Sequence, residues 1–591
     1  MKPTVSKHEL PLRPANFSSL IEALEYAALG ETGMNYFDGR GNLYASVPYK
    51  TLARQAKTLA RRLLALGLAK GSTVALLAET NPDFVRFFFA CQYAGLVPVP
   101  LPVSVNLGNH RPYVEHLRAM LSDCRAQIAM APTDLLPLVQ EAAEPLGRPL
   151  VGDTKAFDGV PEADLDLVNP QATDLAYMQY TSGSTRFPRG VMIQQAAVLN
   201  NLFGIINDGV KARPGDRCVS WLPFYHDMGL VGLVLAPLAG QLSVDYLDTR
   251  VFAMRPRKWL DLMSKSKASI SFGPTFGYDL VARRLRPGEE QRFDLSNWRV
   301  AGVGAEMIRA ETLERFTRRL APAGFDPKAF LACYGMAECS LAVSFAPVGE
   351  GLRVDTVDGE ILSGEGVAVP LLPGSEAEKV HVNTYVDCGS ALSDHEIEIR
   401  DPQGRALPER QCGVLHVRGP SLMSGYFGHP ETTRQVLSDD GWLNTGDLAY
   451  RVGDSIFLTG RQKDLIIVNG RNIWPQDLEY IAEQQPEVRS SDSLAFVAPD
   501  ADGTERVVLV VQCRESEPAK RAQLVHRLKA RISEELAIEC VVDLVPLHTL
   551  PRTSSGKLSR SEARRIFIES TSEKAASVAQ DVADLELRRL A

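Results

Sequence analysis

The run Tyr180-Thr-Ser-Gly-Ser-Thr-Arg-Phe-Pro-Arg-Gly190 places four small hydroxyl side chains around a glycine, directly after the apolar stretch Leu175–Tyr180. A turn of this composition can offer hydroxyl and backbone N–H donors to phosphate oxygens, so Thr181, Ser182, Gly183, Ser184 and Thr185 are candidate phosphate ligands. The GxxxxGK[ST] spacing of the P-loop is absent, and an isolated Ser/Thr-rich turn on the surface would read the same way. Further polar segments follow in order: Trp221-Leu-Pro-Phe-Tyr-His-Asp-Met-Gly229, Gly302-Val-Gly-Ala-Glu306, Tyr334-Gly-Met-Ala-Glu338, Thr445-Gly-Asp447, Gly460-Arg-Gln-Lys-Asp464 and Pro551-Arg-Thr-Ser-Ser-Gly-Lys557. Each alone is weak; their order along one chain is the signal.

The elements that must position them are legible as alternating patterns. Leu52, Leu59, Leu63 and Leu66 recur at helical spacing, Gly67 ends that helix, and Thr73–Leu77 reads as a short strand. A helix over Pro82–Ala94 and a strand or strand edge over Leu96–Leu101 come next, and Gln127–Ala131, Leu175–Tyr180, Arg217–Leu222, Ser269–Phe272 and Arg299–Val303 are further candidate strands. This alternation predicts an α/β fold, with two α/β units over about 1–190 and 191–375. Short alternating runs at His395–Arg400, Gly413–Arg418 and Asp454–Leu458, separated by turn residues, predict a small β-barrel-like unit over 376–460. Together these make an N-terminal region of 1–460. A helix at Gln476–Gln485, a strand at Val507–Val511, a helix at Arg521–Leu536 with Val525, Leu528 and Ile532 on one face, and a strand at Val541–Leu547 predict a separate small α+β domain over 461–591. Its tail from Glu573 reads as a polar surface helix or a loose end.

Composition excludes several classes. The 591 residues are 45% apolar and 23% charged, enough for several packed cores. A net charge of −8 gives no field that would hold nucleic acid. Nine cysteines, an odd number without a CxxC pair, argue against a disulfide framework or thiolate zinc site. With no signal-peptide pattern at the start, a cytoplasmic protein is expected. The apolar stretches 87–103 and 229–240 are too interrupted or too short to span a membrane.

Taken in order, these motifs resemble the adenylate-forming superfamily of acyl-CoA synthetases, luciferases and peptide-synthetase adenylation domains, over about residues 20 to 570. Within it the chain is similar to the fatty acyl-AMP ligase branch: Arg186 completes TSGSTR, YHDMGL stands at 225–230, and Gly273-Pro-Thr-Phe-Gly-Tyr-Asp-Leu280 and Val468-Asn-Gly-Arg-Asn472 fit the branch. Arg189 stands where many relatives have lysine and keeps the charge. The interval from Glu338 to Gly389 is long and holds an apolar run at Val367–Leu372; the resemblance implies a branch-specific insertion lying against a mobile C-terminal domain, where a plain surface loop is the alternative.

The resemblance implies ATP as substrate and Mg²⁺ as cofactor. A carboxylate attacks the α-phosphorus and pyrophosphate leaves; both reactants are anions, so positive charge and geometry must come from the protein. Lys557 is the implied catalytic lysine, and Glu338 the implied Mg²⁺ ligand, a hard oxygen donor beside phosphates. Tyr334 can stack on adenine opposite the Gly304-Ala305-Glu306 turn, with Gly335, Met336 and Ala337 alongside. Asp447 can accept from both ribose hydroxyls, and Arg461 can reach ribose or phosphate. His226 is given a positioning role in catalysis, and with Asp227, Met228, Gly229 and Phe276 it borders the acyl group; the apolar 229–240 stretch lines the acyl tunnel. Asp464 is the implied hinge. In every case the ordinary alternative is a surface charge, a turn residue or plain core packing.

The expected function is activation of a medium or long fatty acid to acyl-adenylate, followed by transfer to an acyl carrier protein acting in trans. A fatty acyl-CoA ligase and a non-catalytic acyl-nucleotide sensor are the alternatives. Chain length, carrier identity and oligomeric state are not set by any of these residues.

Overall fold

A computed structural model describes residues 10–103, 110–181, 188–371, 382–468, 471–489, 491–499, 504–553 and 558–571. The expected α/β architecture is present. The largest sheet has nine strands, in the spatial order Ser390–Ala391, Ala342–Phe345, Phe330–Gly335, Val300–Val303, Ile270–Gly273, Arg217–Ser220, Ser243–Leu247, Gly33–Phe37 and Leu43–Pro48. Its interior pairs are parallel, and antiparallel pairing appears only toward the two edges. Interior strands such as Val300–Val303 are buried along their whole length, as parallel strands covered on both faces must be.

A second sheet is all parallel, in the order Val97–Leu101, Thr73–Leu77, Ile128–Met130, Leu150–Gly152. The helices Tyr49–Leu64 and Pro82–Ala94 beside it pack on each other. The second of these has the bounds expected from its pattern, and its punctuation shows why. The Asn81 side chain caps the Phe84 amide, Pro82 opens the first turn, and Gly95 closes the helix in a left-handed conformation at φ +68°.

Sheet membership departs from the expected division at residue 190. The hairpin formed by Gly33–Phe37 and Leu43–Pro48 joins the nine-stranded sheet, with Met34 beside Val244. Tyr36 stacks at a tilt on Tyr246 with ring centroids 5.1 Å apart, and the Tyr49 hydroxyl donates to the Leu242 carbonyl at 2.8 Å. Pairing across some two hundred positions leaves no trace in a local period.

Three short strands, Leu175–Tyr180, Gly190–Gln194 and Gly425–Tyr426, form a small antiparallel sheet that brackets the hydroxyl-rich loop and brings Tyr426 to it. Four antiparallel strands, Glu396–Arg400, Gly413–Arg418, Leu443–Val452 and Ser455–Arg461, make the β-rich unit.

Beyond it, the hairpin Ile466–Val468/Arg471–Ile473, the helices Pro475–Glu483 and Pro518–Leu536, and the strands Ser493–Pro499, Glu505–Gln512 and Val541–Val545 enclose a core of their own. The buried stripe of the long helix is Leu524, Leu528, Ile532 and Leu536. Val525, expected on that face, is half-buried, because the i, i+4 row begins one residue earlier. Trp474 leaves this core and buries its indole among Val357, Leu362, Tyr385, Tyr450 and Phe457. Arg309 pairs with Glu483, the Tyr480 hydroxyl donates to Glu311 at 2.9 Å, and the Ser363 hydroxyl donates to the Asn472 carbonyl. Ser363 lies on the helix Gly359–Glu365, within the long interval between Glu338 and Gly389. Among the described residues no helix is long and apolar enough to cross a membrane.

Candidate functional site

The two ends of the hydroxyl-rich loop are tied together. The Thr181 N–H donates to the Arg189 carbonyl at 3.1 Å, and the Arg189 N–H returns a bond to the Thr181 hydroxyl at 3.3 Å. Ser182, Gly183, Ser184 and Thr185 lie outside the described residues, as does Lys557. Thr181 and Arg189 face a cavity of about 490 Å³. The Arg189 guanidinium lies 5.3 Å from the centre of the Tyr426 ring, and the Tyr426 hydroxyl donates to Glu338 Oε1 at 2.7 Å.

Glu338 is buried, and burial raises its carboxyl above the usual carboxylate range against the opposing bond from Tyr426. One of its oxygens is engaged and the side chain borders the cavity. Among the described residues no group of three or more His, Cys, Asp or Glu could hold a metal ion. The donor set present, a single hard carboxylate, fits Mg²⁺, which takes one or two carboxylates and fills its other positions from phosphates and water.

Tyr334 is the last residue but one of the strand Phe330–Gly335, where the ladder shifts register before Gly335. A Cβ at Gly335 would lie 1.9 Å from the Leu341 carbonyl oxygen, so only glycine allows this close turn. The Tyr334 hydroxyl donates to Asp447 Oδ2 at 2.6 Å, and Arg461 Nε reaches Asp447 Oδ1 at 3.0 Å. The antiparallel register sets Asp447 directly opposite Arg461. Burial and the neighbouring Asp447 push the Tyr334 hydroxyl well up, keeping it a donor, while the Asp447 charge raises the Arg461 guanidinium. Met336 and Ala337 line the same cavity as Tyr334.

Of the Gly304-Ala305-Glu306 turn, Ala305 alone lines the cavity that Tyr334 borders. Ala305 takes a left-handed φ of +68° and borders this cavity. Gly304 is absent from the lining: a Cβ there would meet the Cys333 carbonyl oxygen at 2.7 Å, so it serves close packing. Glu306 turns to a second cavity of about 340 Å³, where its carboxylate accepts from the Phe276 N–H at 2.7 Å.

His226 and Asp227 start the short helix Asp227–Leu230. Asp227 Oδ1 accepts the Met228 N–H at 2.7 Å and lies 2.6 Å from His226 Nδ1. His226, Asp227 and Met228 all face the large cavity. Gly229 does not: a Cβ there would lie 2.1 Å from the Pro223 carbonyl oxygen, so this glycine lets the helix press against the preceding turn. Phe276 also departs from its expected place. Anchored by Glu306, it faces the second cavity and sets its ring edge-on to Trp221 at 6.0 Å, away from the apolar arm of the first.

That arm runs between two π-helical turns, Ile205–Gly209 and Val231–Leu235. Ile205, Ile206, Gly232, Ala236, Phe272 and Phe345 line it. Wide turns of this kind are uncommon and concentrate at functional sites. The 229–240 stretch therefore contributes through Gly232, Ala236 and Pro237.

Asp464 sits at the second cavity and accepts from Arg560 Nη1 at 3.0 Å, so it ties the chain segment after Arg461 to the C-terminal domain. Glu479, Glu483, Arg552 and Arg560 complete that wall. Several residues at the large cavity escaped the sequence reading, among them His116, Asn444, Lys463 and Tyr426. Lys463 was present in the Gly460–Asp464 motif, and its ammonium is lowered by partial burial and then by the charge of Arg461. Tyr426 carries no local signal; only the pairing of Gly425–Tyr426 with Gly190–Gln194 brings it to Glu338.

The pattern of the AMP-binding enzyme family matches residues 33–427. A Caulobacter vibrioides protein named "Putative acyl-CoA synthetase" is 45% identical over 570 residues, 96% of this chain and 98% of that one. The medium-chain-fatty-acid–[acyl-carrier-protein] ligase JamA of Moorena producens is 31% identical over 584 residues, covering 94% of this chain and 96% of that one. A chain solved in structural and functional studies of fatty acyl-adenylate ligases from E. coli and L. pneumophila superposes with a TM-score of 0.91 at 48% identity, over 95% of this chain and 100% of that one. With a polar cleft lined by Thr181, Tyr334, Glu338 and Arg461, two of them bonded to Asp447 at the second cavity, and a family match over most of its length, this chain belongs to the AMP-binding, adenylate-forming enzymes.

Proposed function

We propose that the protein activates a fatty acid by adenylation and passes the acyl group to an acyl carrier protein in trans. One observation carries the reading: a single cavity joins the polar end at Thr181, Tyr334 and Glu338 to an apolar arm between two π-turns. In this reading a fatty carboxylate oxygen bonds to the α-phosphorus of ATP, the bond to the bridging oxygen breaks, and pyrophosphate leaves with the electron pair. The carboxylate is already ionised at neutral pH and needs no base.

Thr181 and the loop Ser182–Thr185 hold phosphate oxygens, Ala305 and Tyr334 flank the adenine, and Asp447 accepts from the ribose with Arg461 beside it. His226 and Asp227 border the acyl carboxylate, and Lys557 bridges carboxylate and α-phosphate. Glu338 holds Mg²⁺, which when bound offsets the charge of the phosphates. Residues 1–460 act as the adenylation region, and 461–591, turning at Asp464, carry Lys557. Nine free thiols suit work in the reducing cytoplasm. The JamA relative supports the carrier as acceptor, while the name of the Caulobacter relative favours coenzyme A as the second reading.

Mass spectrometry of products from an acid panel, with ATP and either coenzyme A or a carrier protein bearing its thiol arm, tests the reading. Acyl-AMP and acyl-carrier are the expected products. Robust acyl-CoA would replace the carrier by coenzyme A, and no acyl-AMP from any acid would favour a binding protein without activity. Lys557→Ala should abolish acid-dependent pyrophosphate release while ATP still binds; near-normal turnover would remove Lys557 from the mechanism.

A further inference from the structure

The apolar arm ends beside a layer of paired charge. Cys218 and Ile270 stand side by side on adjacent parallel strands, with Val244 flanking Cys218 on the other side. The strand Arg217–Ser220 runs from Cys218 toward the segment holding His226, so Cys218 lies at the end of the arm remote from the carboxylate position. Val210 follows the first π-turn, and Leu242 follows the helix Ala236–Ala239, its N–H held by the Pro237 carbonyl at 2.7 Å. Val210, Cys218, Leu242 and Ile270 all border the cavity and are buried from bulk solvent.

Two ion pairs are carried by the residues next in sequence to this layer and to its strand partners. Arg217 holds Asp245 through two bonds, one of 2.8 Å, and Asp245 is completely buried. Arg299 Nε donates to Asp216 Oδ1 at 2.9 Å, and its other nitrogens donate to the Val210 carbonyl at 2.9 Å and the Lys211 carbonyl at 3.1 Å. Asp216 also accepts from the Ser269 hydroxyl at 2.7 Å and the Arg213 N–H at 2.8 Å. Lys211 takes a left-handed φ of +47°, and the Val210 and Ala212 amides are fixed to the Ile205 and Ile206 carbonyls at 2.8 and 2.9 Å. The polar groups named here around Val210 are thus committed. A chain reaching past these side chains would have to part an ion pair whose carboxylate is shielded from solvent, which leaves that charge uncompensated.

On the reading that this arm receives the acyl chain, we infer that Val210, Cys218, Leu242 and Ile270 form a fixed floor that limits the length of the straight-chain acid the protein activates. Arg299 and Asp216 act as the latch that holds Val210 in it. The substrate class is then an unbranched aliphatic acid whose terminal methyl rests on Cys218 and Ile270. Shorter acids leave the floor empty and lose apolar contact, and longer acids do not fit.

The experiment is kcat/KM for acid-dependent pyrophosphate release over a homologous series of straight-chain acids. In the wild type kcat/KM rises about fourfold per methylene, the worth of one buried CH₂, and falls at least about tenfold just past a limiting length. Val210→Phe moves that limit about two methylenes shorter, while Ile270→Ala moves it longer. Shifts in opposite directions cannot come from general loss of stability. Arg299→Lys, which cannot hold both carbonyls and the carboxylate together, blunts the drop past the limit. A limit that stays put in both cavity variants of an enzyme that adenylates overturns the floor, and an equally sharp drop in Arg299→Lys overturns the latch. Absence of adenylation from every acid in the wild type overturns the functional reading and the floor with it.

Discussion

Asp447 offers a test whose size can be worked from its bonds. An ionised carboxylate has about four lone-pair sites. Tyr334 occupies one at 2.6 Å and Arg461 another at 3.0 Å, which leaves about two, the number a ribose with two free hydroxyls requires. Asp447→Asn keeps the shape, removes the charge and turns one acceptor into a donor. Hydrogen bonds to a charged group are worth about 1.5–3 kcal/mol, so loss of one such bond should weaken ATP binding roughly ten- to hundredfold. The assay is calorimetric titration of wild type and Asp447→Asn with ATP and with its 2′-deoxy analogue. The wild type should discriminate against the deoxy nucleotide about tenfold or more, and Asp447→Asn should lose most of that preference. If the variant binds both nucleotides as the wild type does, Asp447 does not hold the ribose, and the assignment of this cleft to a nucleotide fails with it.

The docking of the C-terminal domain rests on a few identifiable contacts. Trp474→Ala removes a buried indole from the Val357–Phe457 cluster and should cost about 3–5 kcal/mol, seen as faster hydrogen exchange in the helix Pro475–Glu483; unchanged protection would show that the domain is held elsewhere. Because the indole N–H has no hydrogen-bond partner among the described residues, Trp474→Phe should keep most of the protection. Arg309→Met leaves Glu483, whose carboxyl is already raised by burial, without its cation; a cost of about 1–3 kcal/mol is expected since Arg309 is partly solvated, and exchange in the same helix reports it. His395 donates from Nδ1 to the Ser393 carbonyl and accepts at Nε2 from Ser421, and burial holds its pKa below 6.5. The unfolded chain therefore takes up that proton first, so this stabilisation is complete above pH 6.5 and is lost as pH falls through the folded-state value. Thermal midpoints of His395→Gln should fall less on acidification than those of the wild type, and identical slopes would refute the assignment.

What the amino-acid order determined by itself was local. The bounds of Pro82–Ala94 follow from a cap, a proline and a closing glycine, and the strand Glu396–Arg400 from the alternation of Glu and Ile, because dihedral preference and side-chain period are written within a few residues. The motif series was legible too, and Thr181, Glu338, Tyr334 and Arg461 do meet in one cleft. Only the tertiary structure decided which distant segments meet. The hairpin Gly33–Pro48 joins strands near residue 244, Tyr426 reaches Glu338, and Trp474 crosses into the cluster around Val357, each through contacts between positions far apart in the chain. It also sent Phe276 and Glu306 to the second cavity, since the direction of a side chain depends on what packs behind it, and a one-dimensional pattern does not contain that.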